Sequence, residues 1–163
     1  MTKKPIVAIL MGSDSDLPVM SEAAKIFNDN GVAYDMKILS AHRSPDDVAK
    51  FTKSARAKGF KIIIAGAGGA AHLAGVIASH TTLPVIGVPM ETKELKGIDS
   101  LFSTVQMPSG VPVATVSIGK AGAKNAGILA LEILSLNDKR LEKGLTKFKR
   151  ELAESIRNKN KKS

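Results

Sequence analysis

An α/β fold with a parallel sheet is predicted by three features of the sequence. Short apolar segments alternate with stretches whose apolar residues recur every three or four positions, along most of the 163 residues. Most of the short segments are continuous and rich in Val and Ile, which is typical of strands covered on both faces. A helical stretch between successive strands favours parallel pairing and right-handed connections. We therefore expect helices on both faces of one sheet.

Five strands are expected from the apolar segments. The second alternates Val32, Tyr34, Met36 and Ile38 with other residues, so we expect it to be half buried or to lie at an edge. The predicted strands cover residues 6–11, 32–39, 61–65, 85–88 and 113–118. Five parallel strands suit the flavodoxin-like order, a three-layer αβα sandwich in which ligands bind beyond the carboxyl ends of the strands.

Helices are predicted between and after these strands. Met20 and Phe27 share a helical face that ends at Gly31, and the next helix begins with Ser44 as its N-cap and Pro45 in its first position. Further helices are predicted within residues 71–79, 97–105, 120–136 and 138–156. We expect a single domain over residues 1–163, with a core from about 5 to 137 and a basic C-terminal helix and tail at 138–163.

Composition and charge argue against several classes of protein. Without cysteine, the chain has no disulfide framework, thiolate nucleophile or Cys-based metal site. Residues 139–163 hold ten Lys and Arg against three Glu, so +7 of the net +9 lies there and +2 remains for the other 138 residues. Such a basic end is typical of a solvated helix face, and one Tyr with no Trp leaves little for base stacking, so no nucleic-acid partner is expected. The apolar segments are too short or too interrupted for a signal peptide or a membrane span, and we expect a cytoplasmic location.

The loop after the first strand carries the sequence Gly-Ser-Asp-Ser-Asp at residues 12–16. Hydroxyls and free N–H groups at a helix start favour an anion, although the spacing matches neither a P-loop nor a dinucleotide fingerprint. The two aspartates would repel a phosphate lying directly against them, so at least one is expected to accept hydrogen bonds from ribose hydroxyls. The alternative is that Ser15 or Asp16 simply caps the following helix.

The loop after the second strand places Ser40, His42 and Arg43 within four residues of one another at another helix start. The planar guanidinium suits a phosphate or carboxylate, and a neighbouring cation favours a neutral imidazole that can accept a proton. His42 is therefore a candidate base, with a purely structural histidine as the alternative.

The third loop is a run of small residues from 66 to 75, interrupted by His72 and Leu73. Such a glycine-rich run after a strand indicates either that a ligand approaches the backbone closely or that a tight turn packs a helix against the sheet. His72 either orients a ligand or caps its helix, and His80, near a helix end, is expected to be a surface residue. The chain has no Gly-x-Ser-x-Gly nucleophile elbow and no metal-ligand spacing, which leaves a pocket without cofactor or metal. Residues 89–90 and 106–112 are expected to close the same edge.

Four segments, at residues 11–16, 40–45, 66–75 and 106–113, closely resemble the class I PurE branch of the AIR carboxylase family, the N5-carboxyaminoimidazole ribonucleotide mutases. The likeness covers about residues 5–137, with all four motifs in order. It implies a flavodoxin-like fold, a ribonucleotide substrate, no cofactor, and a homo-octamer whose active sites are shared between subunits. The activity it implies is that of an isomerase of de novo purine (IMP) biosynthesis, which moves a carboxylate from the exocyclic nitrogen to ring C4 through trapped CO2.

The resemblance also implies roles for individual residues. Ser13, Ser40 and Arg43 would bind the 5′-phosphate and its surroundings, Asp16 the ribose hydroxyls, and His42 would be the acid and base. The residues implied to cover the imidazole and the carboxylate are Gly68, Gly69, His72 and Leu73, and those that complete the substrate site are Gly12, Ser15 and Ala41.

The second class of the family, the carboxylases that take up free CO2, typically has Ala-His-Lys in the second loop and Gly-Arg-Ser-Asn in the third. Arg43 and the Gly-Gly-Ala-Ala-His sequence here resemble the mutase class instead. The carboxylase remains an alternative, as does a flavodoxin-like nucleotide-binding regulatory module. Two departures stand out: Ala74 occupies a position where the family is expected to have Pro, and the basic tail has no assigned role.

Overall fold

A computed structural model describes residues 4–160 and contains one sheet of parallel strands. The strands are β1 (Val7–Met11), β2 (Tyr34–Ile38), β3 (Ile62–Ala67), β4 (Val85–Pro89) and β5 (Ala114–Thr115). Their spatial order is β2-β1-β3-β4-β5, and every neighbouring pair is parallel. This is the flavodoxin-like order, so the predicted fold is confirmed.

Six α-helices and a short 3₁₀ turn lie within the described residues. The helices are α1 (Leu17–Asp29), α2 (Pro45–Lys58), α3 (Leu73–His80), α4 (Ile98–Val105), α5 (Gly119–Ser135) and α6 (Lys139–Asn160), and the 3₁₀ turn is Asp14–Asp16. Glycine ends α2 as expected for a left-handed cap, because Gly59 has a φ of +97°. None of the helices within residues 4–160 offers the apolar stretch that a bilayer-spanning helix requires.

The two faces of the sheet are covered by different helices. Ala8 and Leu10 of β1 belong to a buried cluster that includes Phe51 of α2 and residues of α3. Alternate residues of the strands point to the opposite face, where Met20 and Phe27 of α1 are fully buried. The sheet is thus enclosed between two helical layers.

The outer strands differ from each other in how well the sequence predicted them. Each residue of β2 is at least partly exposed, and among the strands within residues 4–160 it pairs with β1 alone, as its alternating pattern predicted. The expectation of a covered strand at 113–118 was wrong, because β5 has two residues, of which Ala114 is exposed. The physical reason is that β5 lies at the other edge of the sheet, where backbone pairing with β4 extends over Ala114 and Thr115.

The chain divides into two compact units between Ile128 and Leu129. In the second unit, Glu132 of α5 and Lys149 of α6 form an ion pair of 3.4 Å, so α6 turns back along the end of α5. Leu131 and Leu141 are buried, whereas residues 151–160 are all exposed. The single domain expected over residues 1–163 stays a prediction.

Gly87 of β4 provides a test of the packing between the sheet and α4. A Cβ atom added there would lie 2.5 Å from Thr104 Cγ2 and 2.9 Å from Val113 Cγ1, both on short branched side chains that cannot move aside easily. We expect Gly87→Ala to lower the free energy of unfolding by about 1–3 kcal/mol, measured by denaturant titration.

Gly66→Ala is the matched control on the neighbouring strand. Its added Cβ would also meet atoms at 2.5 Å, but these are the flexible thioether ends of Met20 and Met90. We expect a smaller loss than in Gly87→Ala, and an equal or larger loss would contradict this account of the packing.

Candidate active site

A cleft of about 540 Å³ opens where β1, β2, β3 and β4 end. It lies at the point where strand order reverses, because β1 and β3 are adjacent while β2 lies beyond β1. Its lining residues are Gly12, Ser13, Ser15, Asp16, Ser40, Ala41, His42, Arg43, Ala67, Gly68, Ala70, His72, Leu73, Met90 and Glu91. Three loops that are distant in the sequence therefore share one cavity, and eleven of the twelve site residues inferred from the sequence line it.

The loop after β1 is folded by its own serines and aspartates. The Ser13 hydroxyl donates to Asp14 Oδ1 at 3.0 Å and accepts the Ser15 backbone N–H at 3.3 Å, which caps the 3₁₀ turn. Asp16 stands at the N-cap position of α1 but makes no capping bond with its side chain. Because the Asp16 side chain makes no capping bond to α1, its carboxylate is available to a ligand in the cleft.

Partial burial is the main influence on the Asp16 carboxyl group and raises its pKa above the ordinary value. Hydrogen bonds from the Ser13 backbone and the Ser15 side chain, together with the charge of Arg43, act in the opposite direction but do not outweigh burial. A carboxylate that is partly desolvated gains from accepting hydroxyl hydrogens, which suits the ribose-binding role inferred from the sequence.

The loop after β2 is tied to the loop after β1 by Arg43. Its guanidinium Nη2 donates to the Gly12 carbonyl at 2.6 Å, and its Nε donates to Ser40 Oγ at 3.4 Å. Ser44 lies at the N-cap of α2, but its hydroxyl bonds the Ser40 backbone instead of a helical N–H, contrary to the capping expected from the sequence. The loop thus uses its hydroxyls to fix its own turn and leaves part of the guanidinium donor set for an anion.

Two histidines from different loops meet in the cleft. His42 Nε2 and His72 Nδ1 are 2.9 Å apart, and the rings meet edge to face with an interplanar angle of 82°. Both were singled out in the sequence, but nothing in the sequence indicated that they touch. The third histidine, His80, ends α3 and lies outside this cleft.

The small-residue run forms one wall of the cleft, but of the two glycines inferred to bind the substrate, one faces the cavity and the other does not. Gly68 faces the cavity, whereas Gly69, the remaining inferred site residue, does not line it. Gly69 has a φ of +68°, and its backbone N–H and carbonyl are held by the hydroxyls of Ser100 and Ser103 at 2.9 and 3.2 Å. Gly69 therefore shapes the wall from behind.

The structure adds Glu91, Met90, Ala67 and Ala70 to the site residues. Met90 had been expected to close this edge, and the alanines belong to the small-residue run, but Glu91 carried no sequence signal. Residues 106–112 do not line the cleft, since Met107 lies against Gly75 of α3 instead. Within residues 4–160, no three His, Asp or Glu side chains converge in a way that could hold a metal ion.

Comparison with known proteins assigns the family. The sequence model of a family described as AIR carboxylase matches residues 6–155, which include every residue of the cleft. This chain belongs to the AIR carboxylase family. It is 52% identical over 158 residues to the N5-carboxyaminoimidazole ribonucleotide mutase of Pyrococcus horikoshii, covering 97% of this chain and 88% of that protein. It is 57% identical over 142 residues to the mutase of Bacillus subtilis, covering 87% and 88%.

Solved structures of the family share the fold. The crystal structure of Treponema denticola PurE superposes with a TM-score of 0.88 at 31% identity, covering 97% of this chain and 98% of that one. The AIR carboxylase fold therefore extends over nearly the whole chain.

Replacement of Asp16 tests the electrostatics of this AIR carboxylase cleft. Since the folded-state pKa is raised, the folded chain binds the proton more tightly than the unfolded chain, and stability falls as pH rises from below the ordinary pKa through the raised one. We expect Asp16→Asn to be modestly more stable than the unsubstituted chain at neutral pH, with the difference shrinking in acid. Urea unfolding over a pH series measures this, and an Asp16→Asn protein that is less stable at neutral pH would contradict it.

Proposed function

We propose that this member of the AIR carboxylase family is an N5-carboxyaminoimidazole ribonucleotide mutase of purine biosynthesis, an isomerase that works in the cytoplasm. The observation that carries the proposal is the convergence of His42, Arg43 and Asp16 on one cleft beside a wall of small residues. The identity of about half to mutases over most of the chain supports the same reaction.

The polar end of the cleft suits the ribose phosphate of such a substrate. Arg43 offers charged donors, and the hydroxyls of Ser13 and Ser40 lie on the loops that Arg43 joins. Asp16 accepts the ribose hydroxyls, because a carboxylate repels phosphate but binds hydroxyl donors. This set fixes the nucleotide and leaves the heterocycle to face His42.

His42 carries the proton that the rearrangement must move. Cleavage of the carbamate N–C bond releases CO2 and leaves an electron pair on the exocyclic nitrogen, which takes a proton from His42. Ring C4 then attacks CO2 and briefly holds both a hydrogen and the new carboxylate. His42 removes that hydrogen, which restores the aromatic ring and returns His42 to its starting state.

The wall formed by Ala67, Gly68 and Ala70 supports a reaction through free CO2 within the cleft. Side chains no larger than a methyl group leave room for a small apolar molecule beside the ring and offer it no nucleophile. Holding both fragments in place makes their recombination effectively unimolecular, which is worth several kcal/mol or more.

A homo-octamer with shared active sites is part of this proposal. One face of α4 supports an assembly, because Ile98, Phe102 and Val105 are 45–60% exposed at successive helical turns. The same helix holds Gly69 through Ser100 and Ser103, so a subunit packed on α4 would adjoin the small-residue wall.

Substrate choice tests the proposed reaction directly. The purified protein is given the carbamate ribonucleotide in one assay, and aminoimidazole ribonucleotide with bicarbonate in another. We expect the C4-carboxylated product from the carbamate at a far higher rate. Product formed solely in the second assay would instead assign the carboxylase of the second class.

His42→Asn separates an enzyme from a binding module with the same fold. We expect turnover of the carbamate to fall by roughly 10²–10⁴-fold while ligand binding, measured by calorimetry, survives. His80→Gln is the matched control, because His80 lies outside the cleft. Unchanged turnover in His42→Asn would remove His42 from the mechanism.

Ala70→Leu tests the role of the small-residue wall. Ala70 lines the cleft and is exposed, so a larger side chain enters the cavity without disturbing the core. We expect a loss of kcat of about tenfold or more with little change in thermal unfolding. Ala70→Ser, which adds one oxygen, is the control, and full activity in Ala70→Leu would show that the space is not needed.

A further inference from the structure

We propose that His72 is a positioning residue for the reaction. Its Nδ1 accepts a hydrogen bond from the Nε2–H of His42, which fixes the His42 ring and leaves Nδ1 of His42 as the basic nitrogen. The inference rests on the proposed function, since it concerns the proton that His42 carries. Its structural basis is the 2.9 Å contact between His42 Nε2 and His72 Nδ1.

Both rings are attached to backbone that is itself held in place. His42 lies in a turn closed by the bond from the Ser44 N–H to the Ser40 carbonyl at 2.9 Å. His72 directly precedes α3, and its carbonyl accepts the Val76 N–H at 3.0 Å. The neighbours of His72 in the chain, Ala71 and Leu73, are buried. The contact therefore joins two exposed imidazoles whose backbones are each held by hydrogen bonds.

Counting hydrogens decides which arrangement of the pair can act as a base. A 2.9 Å contact between two ring nitrogens needs one donor and one acceptor. If His72 Nδ1–H donated, the neutral His42 would carry its own hydrogen on Nδ1 and have its Nε2 lone pair engaged. It would then have no nitrogen free to take a proton.

The opposite arrangement works at every step. His72 carries its hydrogen on Nε2 and accepts through Nδ1, and His42 donates through Nε2–H. Nδ1 of His42 then has a free lone pair. When it takes the C4 hydrogen, His42 becomes an imidazolium that still donates to His72 through Nε2, and when it protonates the exocyclic nitrogen it returns to the neutral form. The contact is retained throughout, so His42 need not rotate between the two proton transfers.

Three substitutions at His72 distinguish this role from packing or direct substrate contact. The amide of Asn reaches the place of Nδ1, the amide of Gln reaches the place of Nε2, and Phe keeps a ring without a polar atom. We expect His72→Phe and His72→Gln to lose about 10- to 100-fold in kcat with a much smaller change in KM. His72→Asn should recover most of the kcat that His72→Phe loses.

The opposite results overturn the inference. Wild-type kcat in His72→Phe, better activity in His72→Gln than in His72→Asn, or equal loss in all three would each exclude a role through Nδ1. Absence of mutase activity in the unsubstituted protein would instead contradict the proposed function, so the two failures are distinguishable.

A spectroscopic measurement tests the pair without turnover. The chain has three histidines, so solid-state NMR of protein labelled with ¹⁵N-histidine gives few signals, and His80→Gln removes one. In mildly alkaline buffer we expect His42 to carry its hydrogen on Nε2, and its Nε2 signal to shift in His72→Phe. A hydrogen on His42 Nδ1, or an Nε2 signal that is the same in both proteins, would overturn the assignment.

Discussion

The parallel pairing of β1 with both β2 and β3 is the constraint on which the site depends. In this register Met11, at the end of β1, lies beside Ile38 and Gly66. The ladder continues past the strand ends, because the Leu39 N–H donates to the Met11 carbonyl and the Gly12 N–H to the Gly66 carbonyl. Three loops thus leave the sheet side by side, close enough for Arg43 to reach the Gly12 carbonyl. A one-residue slip would turn the neighbouring side chains to opposite faces and separate these groups.

The small residues of the third loop serve packing and the cleft at different positions. Gly66 is buried against the ends of Met20 and Met90, so its lack of a side chain is a requirement of the core. Two residues later, Gly68 faces the cavity. The packing interpretation therefore holds for Gly66, and the close approach of a ligand at Gly68 stays a prediction. One run of small residues allows the sheet to close against α1 and leaves space beyond the strand end.

Local patterns predicted most of the fold, and contacts between distant segments account for what they missed. Apolar runs and helix starts such as Ser44-Pro45 depend on neighbouring residues, so four strands and six helices were located within a few residues. The length of β5 and the position of Gly69 depend on contacts with segments distant in the sequence, β4 in the first case and α4 in the second. Glu91 belongs to no recognisable sequence motif, and it lines the cleft because it lies just after the end of β4. The contact of His42 with His72 spans thirty positions and follows from the strand order.

The rigidity of the glycine-rich wall does not require the proline that the family resemblance suggested at position 74. Ala74 is buried and is the second residue of α3. The first N–H groups of any helix have no acceptor within that helix. A proline there would remove a donor that the helix does not use. The wall is instead fixed by two serines of α4. The fully buried Ser100 accepts the Gly69 N–H, and Ser103, one helical turn further on, donates to the Gly69 carbonyl. Hydrogen bonds to the backbone can fix a segment without side chains, and they do so without filling the cleft.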